Sequence, residues 1–206
     1  MAEYNRRVDG HPYTKGSDCN MLVYDAFYGI DMPVLISEVM NSGFSGVAAW
    51  MLDDAMHSQG DSGQPQDIKI WGMWNILGSE VFGDPSQEDV RPWYYTWSLM
   101  CRYFPKGCNV LDSRIENPMS GIFVVAALTK ENKISMAVIN TRTEKVKTEV
   151  SLPRKLAAAR LFRYSEKDGI SLDRNGLPKP EGRISGSKKV SLELEGNSMV
   201  LVTEMD

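Results

Sequence analysis

The stretch GFSGVAAWMLDDAMHSQGDSGQPQDIKIWGMWNILG, residues 43–78, joins a short apolar run to a long polar loop. Its opening run, VAAWML, is apolar at every position, too short for a helix of its own, and bounded by Gly46 and Asp53. Unbroken apolarity over such a length predicts a strand buried on both faces, as in a parallel sheet. Asp53, Asp54 and His57 follow at once. The Gly-, Ser-, Asp- and Gln-rich loop from Asp53 to about Lys69 is longer than most connections in compact domains and is costly to keep unless it serves a function.

Upstream, Met32, Leu35, Ile36, Val39 and Met40 recur at helical spacing, with Asp31 placed to cap, Pro33 in the first turn and Gly43 to close the C-terminus. A separate helix is expected over about Asn20 to Tyr28, ended by Gly29. Downstream, VRPWYYTWSLMCRYF at 90–104 puts Trp93, Trp97, Leu99, Met100 and Phe104 largely on one side of a helix. Helix, buried strand, long loop and helix make a fragment of a β/α fold whose helices cover a parallel sheet.

Beyond residue 108 the period changes. SGIFVVAALTK, NKISMAVINTR, EKVKTEVSLP, LAAARLFRYSE, KKVSLELEG and NSMVLVTEM alternate or are apolar throughout, and turn residues separate them at 130–132, 141–144, 169–186 and 196–197. Six or more antiparallel strands at this spacing predict a β-sandwich of about 100 residues. Composition breaks at the same place. All five tryptophans, both histidines and all three cysteines precede residue 109, while Phe123, Phe162 and Tyr164 are the only aromatics after it. The fold class expected is therefore α/β plus all-β, residues 1–107 and 108–206, joined at FPKGCN (104–109).

With 23 basic and 27 acidic residues intermixed, a net charge of −4 and 42% hydrophobic residues, the 206-residue chain has the composition of a soluble globular protein and lacks the basic cluster of a nucleic-acid or anionic-membrane binder. No apolar run approaches the roughly 18 residues of a membrane span, and MAEYNRRVDG lacks a signal peptide's apolar core. Cys19, Cys101 and Cys108 form no C-x-x-C pair, so they read as buried or idle thiols rather than a zinc site or disulfide framework, a single bridge being the alternative.

The order of elements, a tryptophan-ended strand GVAAWMLDDAMH, a long loop, the aromatic helix RPWYYTWSLMCRYFPKG, then a sandwich opening at CNVL and closing at SMVLVTEM, resembles the C-terminal part of a retaining glycoside hydrolase. Enzymes of this clan A type have a (β/α)8 barrel followed by a β-sandwich. In that resemblance GVAAWML is similar to the eighth barrel strand, DMPVLISEVMNSG to the seventh helix, VRPWYYTWSLMCRYF to the eighth helix, and MAEYN to the end of the seventh strand. The implied fold is a partial barrel segment followed by a sandwich.

Barrel active sites lie at the C-terminal strand ends, so residues after AAW would face substrate. Trp50 is then placed to stack on a sugar ring, and Asp53, Asp54 and His57 to bond its hydroxyls. The alternative is a core Trp50 and aspartates that stabilise backbone turns. Trp71, with Trp74, is either a second sugar platform or a plug packing the loop. Retaining hydrolysis needs two carboxyl groups about 5 to 5.5 Å apart. The resemblance makes Glu3 the nucleophile, the alternative being a solvated terminal side chain, and places the acid/base carboxylate on an earlier strand.

A whole barrel takes about 250 residues, so the chain is expected to be incomplete as an enzyme and not catalytic alone. The implied partner is an oligo- or polysaccharide, with no nucleic acid, no membrane, no metal and no organic cofactor, and with the cut barrel edge covered either by another copy of the chain or by rearranged helices. An extracellular or periplasmic site follows from the resemblance alone. The other readings are a non-catalytic carbohydrate-binding module, for which the tryptophan-free second unit offers few aromatics, and a structural β-sandwich module.

Overall fold

The computed structural model describes residues 21–49, 52–53, 55–56, 68–69, 72–74, 76, 79–80, 83 and 85–206. The chain divides into two compact units, residues 1–28 with 48–94 and residues 29–47 with 95–206. This differs from a single cut at 104–109, because two helices of the first half close the apolar face of the sheet formed by the second.

Helix α1 (Met21–Asn41) is one continuous element where a break at Gly29 is expected from sequence. Gly29 serves packing instead of termination: a Cβ there would stand 1.9 Å from the Tyr164 hydroxyl oxygen, so only glycine lets the helix approach the sheet this closely. Pro33 lies inside the helix and lacks the N–H of the rung that would end on the Gly29 carbonyl. Asp31, expected as a cap, is in the helix interior and only 3% exposed. The C-terminus closes as expected. Gly43 adopts φ 83°, its N–H bonds the Met40 carbonyl at 3.0 Å, and Phe44 N–H reaches Val39 at 3.2 Å, which is a Schellman closure. Asn41 then donates to the Val124 carbonyl at 2.8 Å and pins this end to the sheet.

Helix α2 (Pro92–Tyr103) begins with proline at its first position and buries Trp93, Leu99, Met100 and Tyr103, while Trp97 and Phe104 are half-buried.

All six segments read as strands in the second half are strands: β4 (Ile122–Leu128), β5 (Ile134–Asn140), β6 (Val146–Ser151), β7 (Ala159–Ser165), β10 (Lys189–Leu194) and β11 (Ser198–Thr203). Short β3 (Asn109–Leu111), β8 (Gly169–Ile170) and β9 (Gly182–Ile184) join them. The main sheet has the order β3-β4-β5-β11-β7-β8, with β9 also on β7, and every pairing is antiparallel. β6 and β10 form a separate antiparallel ribbon.

Alternation sorts the side chains into two apolar layers. Val125, Ala137, Ile139, Phe162, Tyr164, Met199 and Leu201 pack with Ile30, Val34 and Ile36 of α1 and Leu99, Met100 and Tyr103 of α2. On the opposite face Met136, Val138, Leu161, Val200 and Val202 pack with Val190, Leu192 and Leu194 of the ribbon. β5 and β11 are consequently buried at every position, whereas β10 alternates strictly between exposed and buried. Asn140, fully buried, fixes the corner where the chain passes from ribbon to sheet. Its Nδ2 donates to the carbonyls of Glu144 (2.9 Å) and Glu195 (2.7 Å), and its Oδ1 accepts from Arg142 N–H (3.0 Å).

The run expected as a buried parallel strand is not one over its described part, since residues 46–49 belong to no helix or strand. A strand exists only through a neighbour that shares its hydrogen bonds, and no parallel neighbour occurs among the described residues.

Candidate functional site

The polar loop is closed at its base. Two short strands, β1 (Ala55–Met56) and β2 (Ile68–Lys69), pair antiparallel with Ala55 opposite Lys69 and Met56 opposite Ile68. Behind them Met73 N–H bonds the Leu52 carbonyl at 2.9 Å, and the Asp53 Oδ1 accepts the Ile76 N–H at 3.0 Å. The excursion is thus gathered by backbone and carboxylate bonds that join residues 52–53 to 73–76.

A second set of bonds fixes the returning segment. The Gly72 carbonyl accepts Arg91 Nη1 at 2.6 Å and Trp93 Nε1 at 3.1 Å, while Arg91 N–H bonds the Met73 carbonyl at 2.8 Å. Arg91 and Trp93 are 3% and 1% exposed, so both bonds to Gly72 are shielded from water and strengthened by it. Nearby, Ser79 hydrogen bonds to Glu88, 2.9 Å from its backbone N–H, hold that carboxyl below the usual carboxylate range. Arg91 and Gly72 are anchors that the sequence reading does not identify. The available signal is an arginine directly before the Pro-Trp of a helix start, a place where an apolar flank and a charge meet.

Of the residues singled out from sequence, Asp53 is described, and it is half-buried and engaged with the loop backbone. Glu3, Trp50, Asp54, His57 and Trp71 lie outside the described residues. Trp74 is half-buried beside the Gly72 anchor. No group of three or more His, Cys, Asp or Glu comes together to hold a metal among the described residues. Burial pushes the thiols of Cys101 and Cys108 up, the reverse of what activates a cysteine nucleophile. No helix among the described residues is long and apolar enough to cross a membrane.

Solved structures supply the likeness. The family 30 subfamily 8 xylanase of the glycoside hydrolases from Clostridium acetobutylicum superposes over 91% of this chain and 40% of its own, with a TM-score of 0.60 and 14% identity. At this identity the likeness is one of fold alone. SrfJ from Salmonella typhimurium matches 92% of this chain and 32% of its own at a TM-score of 0.53 and 14% identity. The endo-β1,6-glucanase BT3312 covers 82% of the chain and 29% of its own at 0.49 and 14% identity. The chain thus spans less than half the length of the solved proteins it matches. No protein-family model matches the sequence, and no curated protein does.

Proposed function

We propose that these 206 residues are the C-terminal part of a retaining glycoside hydrolase that cleaves a β-linked polysaccharide, xylan being the first to test. The observation that carries the reading is the likeness over 91% of the chain to a xylanase of which that match covers 40%. On this reading α1 and α2 are the last two barrel helices, and the main sheet with its ribbon is the C-terminal sandwich.

Glu3 is then the nucleophile at the seventh strand end. Its carboxylate attacks the anomeric carbon, the glycosidic C–O bond breaks, and the leaving oxygen takes a proton from a second carboxyl on an earlier barrel strand. Water afterwards hydrolyses the glycosyl-enzyme ester with the second carboxylate as base. Trp50 and Trp71 offer stacking faces, and Asp53, Asp54 and His57 bond sugar hydroxyls from the loop. Part of Asp53's capacity is already given to the Ile76 N–H, so its share in this reading is to hold the loop as much as to touch sugar.

The test is to read the coding frame upstream of Met1, express its longest product and follow xylan hydrolysis by the anomeric configuration of the first-formed sugar. Retention, lost with activity in Glu3→Gln, is expected. Inversion, activity indifferent to Glu3→Gln, or a stop codon directly upstream would overturn the reading. Hydrolysis by the 206-residue chain alone would overturn the assignment of the acid/base to an earlier strand.

A further inference from the structure

One edge of β7 changes partner along its length. β8 pairs with its C-terminal half, through Tyr164 opposite Ile170 and Ser165 opposite Gly169, and β9 with its N-terminal half, through Leu161 opposite Gly182. Between them residues 171–181 leave the edge as an excursion of their own, closed by a bridge between Leu172 and Pro178. Where the excursion departs, on the ribbon side of the sheet, a cavity of about 190 Å³ opens.

The polar lining of this cavity comes from five segments. Arg163 and Ser165 belong to β7, Asp168 to the turn after it, Ser171 and Glu181 to the two feet of the excursion, Glu195 to the end of the ribbon and Ser198 to β11. Three carboxylates and one guanidinium line it, and several of these groups also bond one another. Glu195 pairs with Lys145 at 2.7 Å, Glu181 lies 3.7 Å from Arg163 Nε and accepts the Ser171 hydroxyl at 2.9 Å, and Asp168 accepts the Ser165 hydroxyl at 3.3 Å. The Arg163 Nη1 donates to the Glu193 carbonyl at 2.5 Å, which fixes the guanidinium plane at the wall.

The geometry points to a binding site for one small neutral polyol, of the size of a single sugar residue, held between Glu181, Asp168 and the Ser171 hydroxyl oxygen as acceptors and Arg163 as donor. Vicinal hydroxyls each donate and accept and so match carboxylates that stand beside a guanidinium. Volume sets the size. Pockets for drug-sized ligands start at roughly 300 Å³, so this one holds a monosaccharide and not an oligosaccharide. The site stands apart from the cleavage reading: it uses neither Glu3 nor the 53–76 loop, and it stands or falls without them.

The experiment is a titration of the ¹⁵N-labelled 206-residue chain with D-xylose, D-glucose and glycerol, with glucosamine and glucuronate as charged comparators. Saturable shifts at the Gly169, Ser171 and Gly182 amides are expected with the neutral sugars, at a Kd on the order of millimolar, as suits a small open site. Glu181→Gln, at an exposed position, keeps the fold and weakens binding by about tenfold, in line with the loss of a charged acceptor. Ser171→Ala gives a smaller loss in the same direction, and Lys147→Ala on the outer ribbon face none. Absence of saturable shifts up to the solubility of the sugars, tighter binding of glucosamine or glucuronate than of glucose, or affinity unchanged in both Glu181→Gln and Ser171→Ala would overturn the assignment.

Discussion

Replacing Glu204 by glutamine tests how the second unit is held together. Glu204 follows β11 with its side chain 4% exposed, and four donors converge on it. Arg154 reaches both oxygens, Nη1 to Oε1 at 2.9 Å and Nη2 to Oε2 at 2.5 Å, while Ala157 N–H bonds Oε1 at 2.7 Å and Ile134 N–H bonds Oε2 at 2.8 Å. Arg154 in turn donates to the carbonyls of Asn132 and Lys155, so one ion pair ties the β4–β5 turn, the β6–β7 connection and the end of β11. Burial alone would push the carboxyl up, but the Arg154 bonds and the two backbone N–H groups outweigh it and lower the pKa from 4.5 to about 2.

At ~1.4 kcal/mol per tenfold ratio, that gap is worth about 3 kcal/mol. Because the folded value is the lower one, the contribution is complete above pH 4.5 and is lost as pH falls from there toward 2. Glu204→Gln removes the charge and turns a donor toward groups that already donate. It should therefore cost about 3 kcal/mol at pH 7, or roughly 6–12 °C in Tm for a chain of this length. Urea unfolding of both proteins between pH 7 and pH 2.5 checks this. The difference between them should shrink with acid, since the native protein itself loses the charge. A cost below about 1 kcal/mol at pH 7, or a difference that stays constant across the range, would refute the reasoning.

Gly29→Ala should destabilise by about 1–3 kcal/mol through overpacking, because its Cβ would fall 1.9 Å from the Tyr164 hydroxyl; the double change with Tyr164→Phe should recover part of that in a thermal melt, and a melt indistinguishable from the parent would remove the close-approach argument. Asp53→Ala should release the Ile76 amide, raising its hydrogen-exchange rate about fivefold for a bond worth ~1 kcal/mol, while amides of β5 and β11 keep theirs; equal exchange at Ile76 in both proteins would mean that Asp53 does not gather the loop.

The strands of the second half were legible because each carries its own evidence. A half-buried strand alternates, as Val190, Leu192 and Leu194 do, and a strand buried on both faces reads as an unbroken apolar run, as MVLV does in β11. Where meaning lay in a distant partner, local rules misled. Gly29 looks like a helix stop because glycine usually is one, yet its lack of a side chain answers to Tyr164, far along the chain. Asp31 has the chemistry of a cap but sits mid-helix, because the helix runs on through Gly29 and places its start ten residues earlier, at Met21.

The loop shows the same division. Its polarity and length were visible, but the bond from Ile76 to Asp53 and the hold of Arg91 and Trp93 on the Gly72 carbonyl depend on how the chain returns, which no window of sequence contains. Glu204 was missed for a related reason. In SMVLVTEM it reads as a polar residue after an apolar strand, and only the arrival of Arg154 beside it makes it a buried ion.

The order of strands in the main sheet bears on how the protein is made. β11, which follows both β5 and β7 in the chain, sits between them and pairs with each along its whole length. During synthesis β3, β4 and β5 can pair as they emerge, and β7 can gather β8 and β9, but the two groups share no strand until β11 arrives. Through that interval β5 and β7 each present an open edge beside exposed apolar side chains, the condition under which nascent chains join one another. A chain that has emerged only as far as residue 197 therefore carries two unjoined half-sheets, and its need of a chaperone falls once β11 is in place.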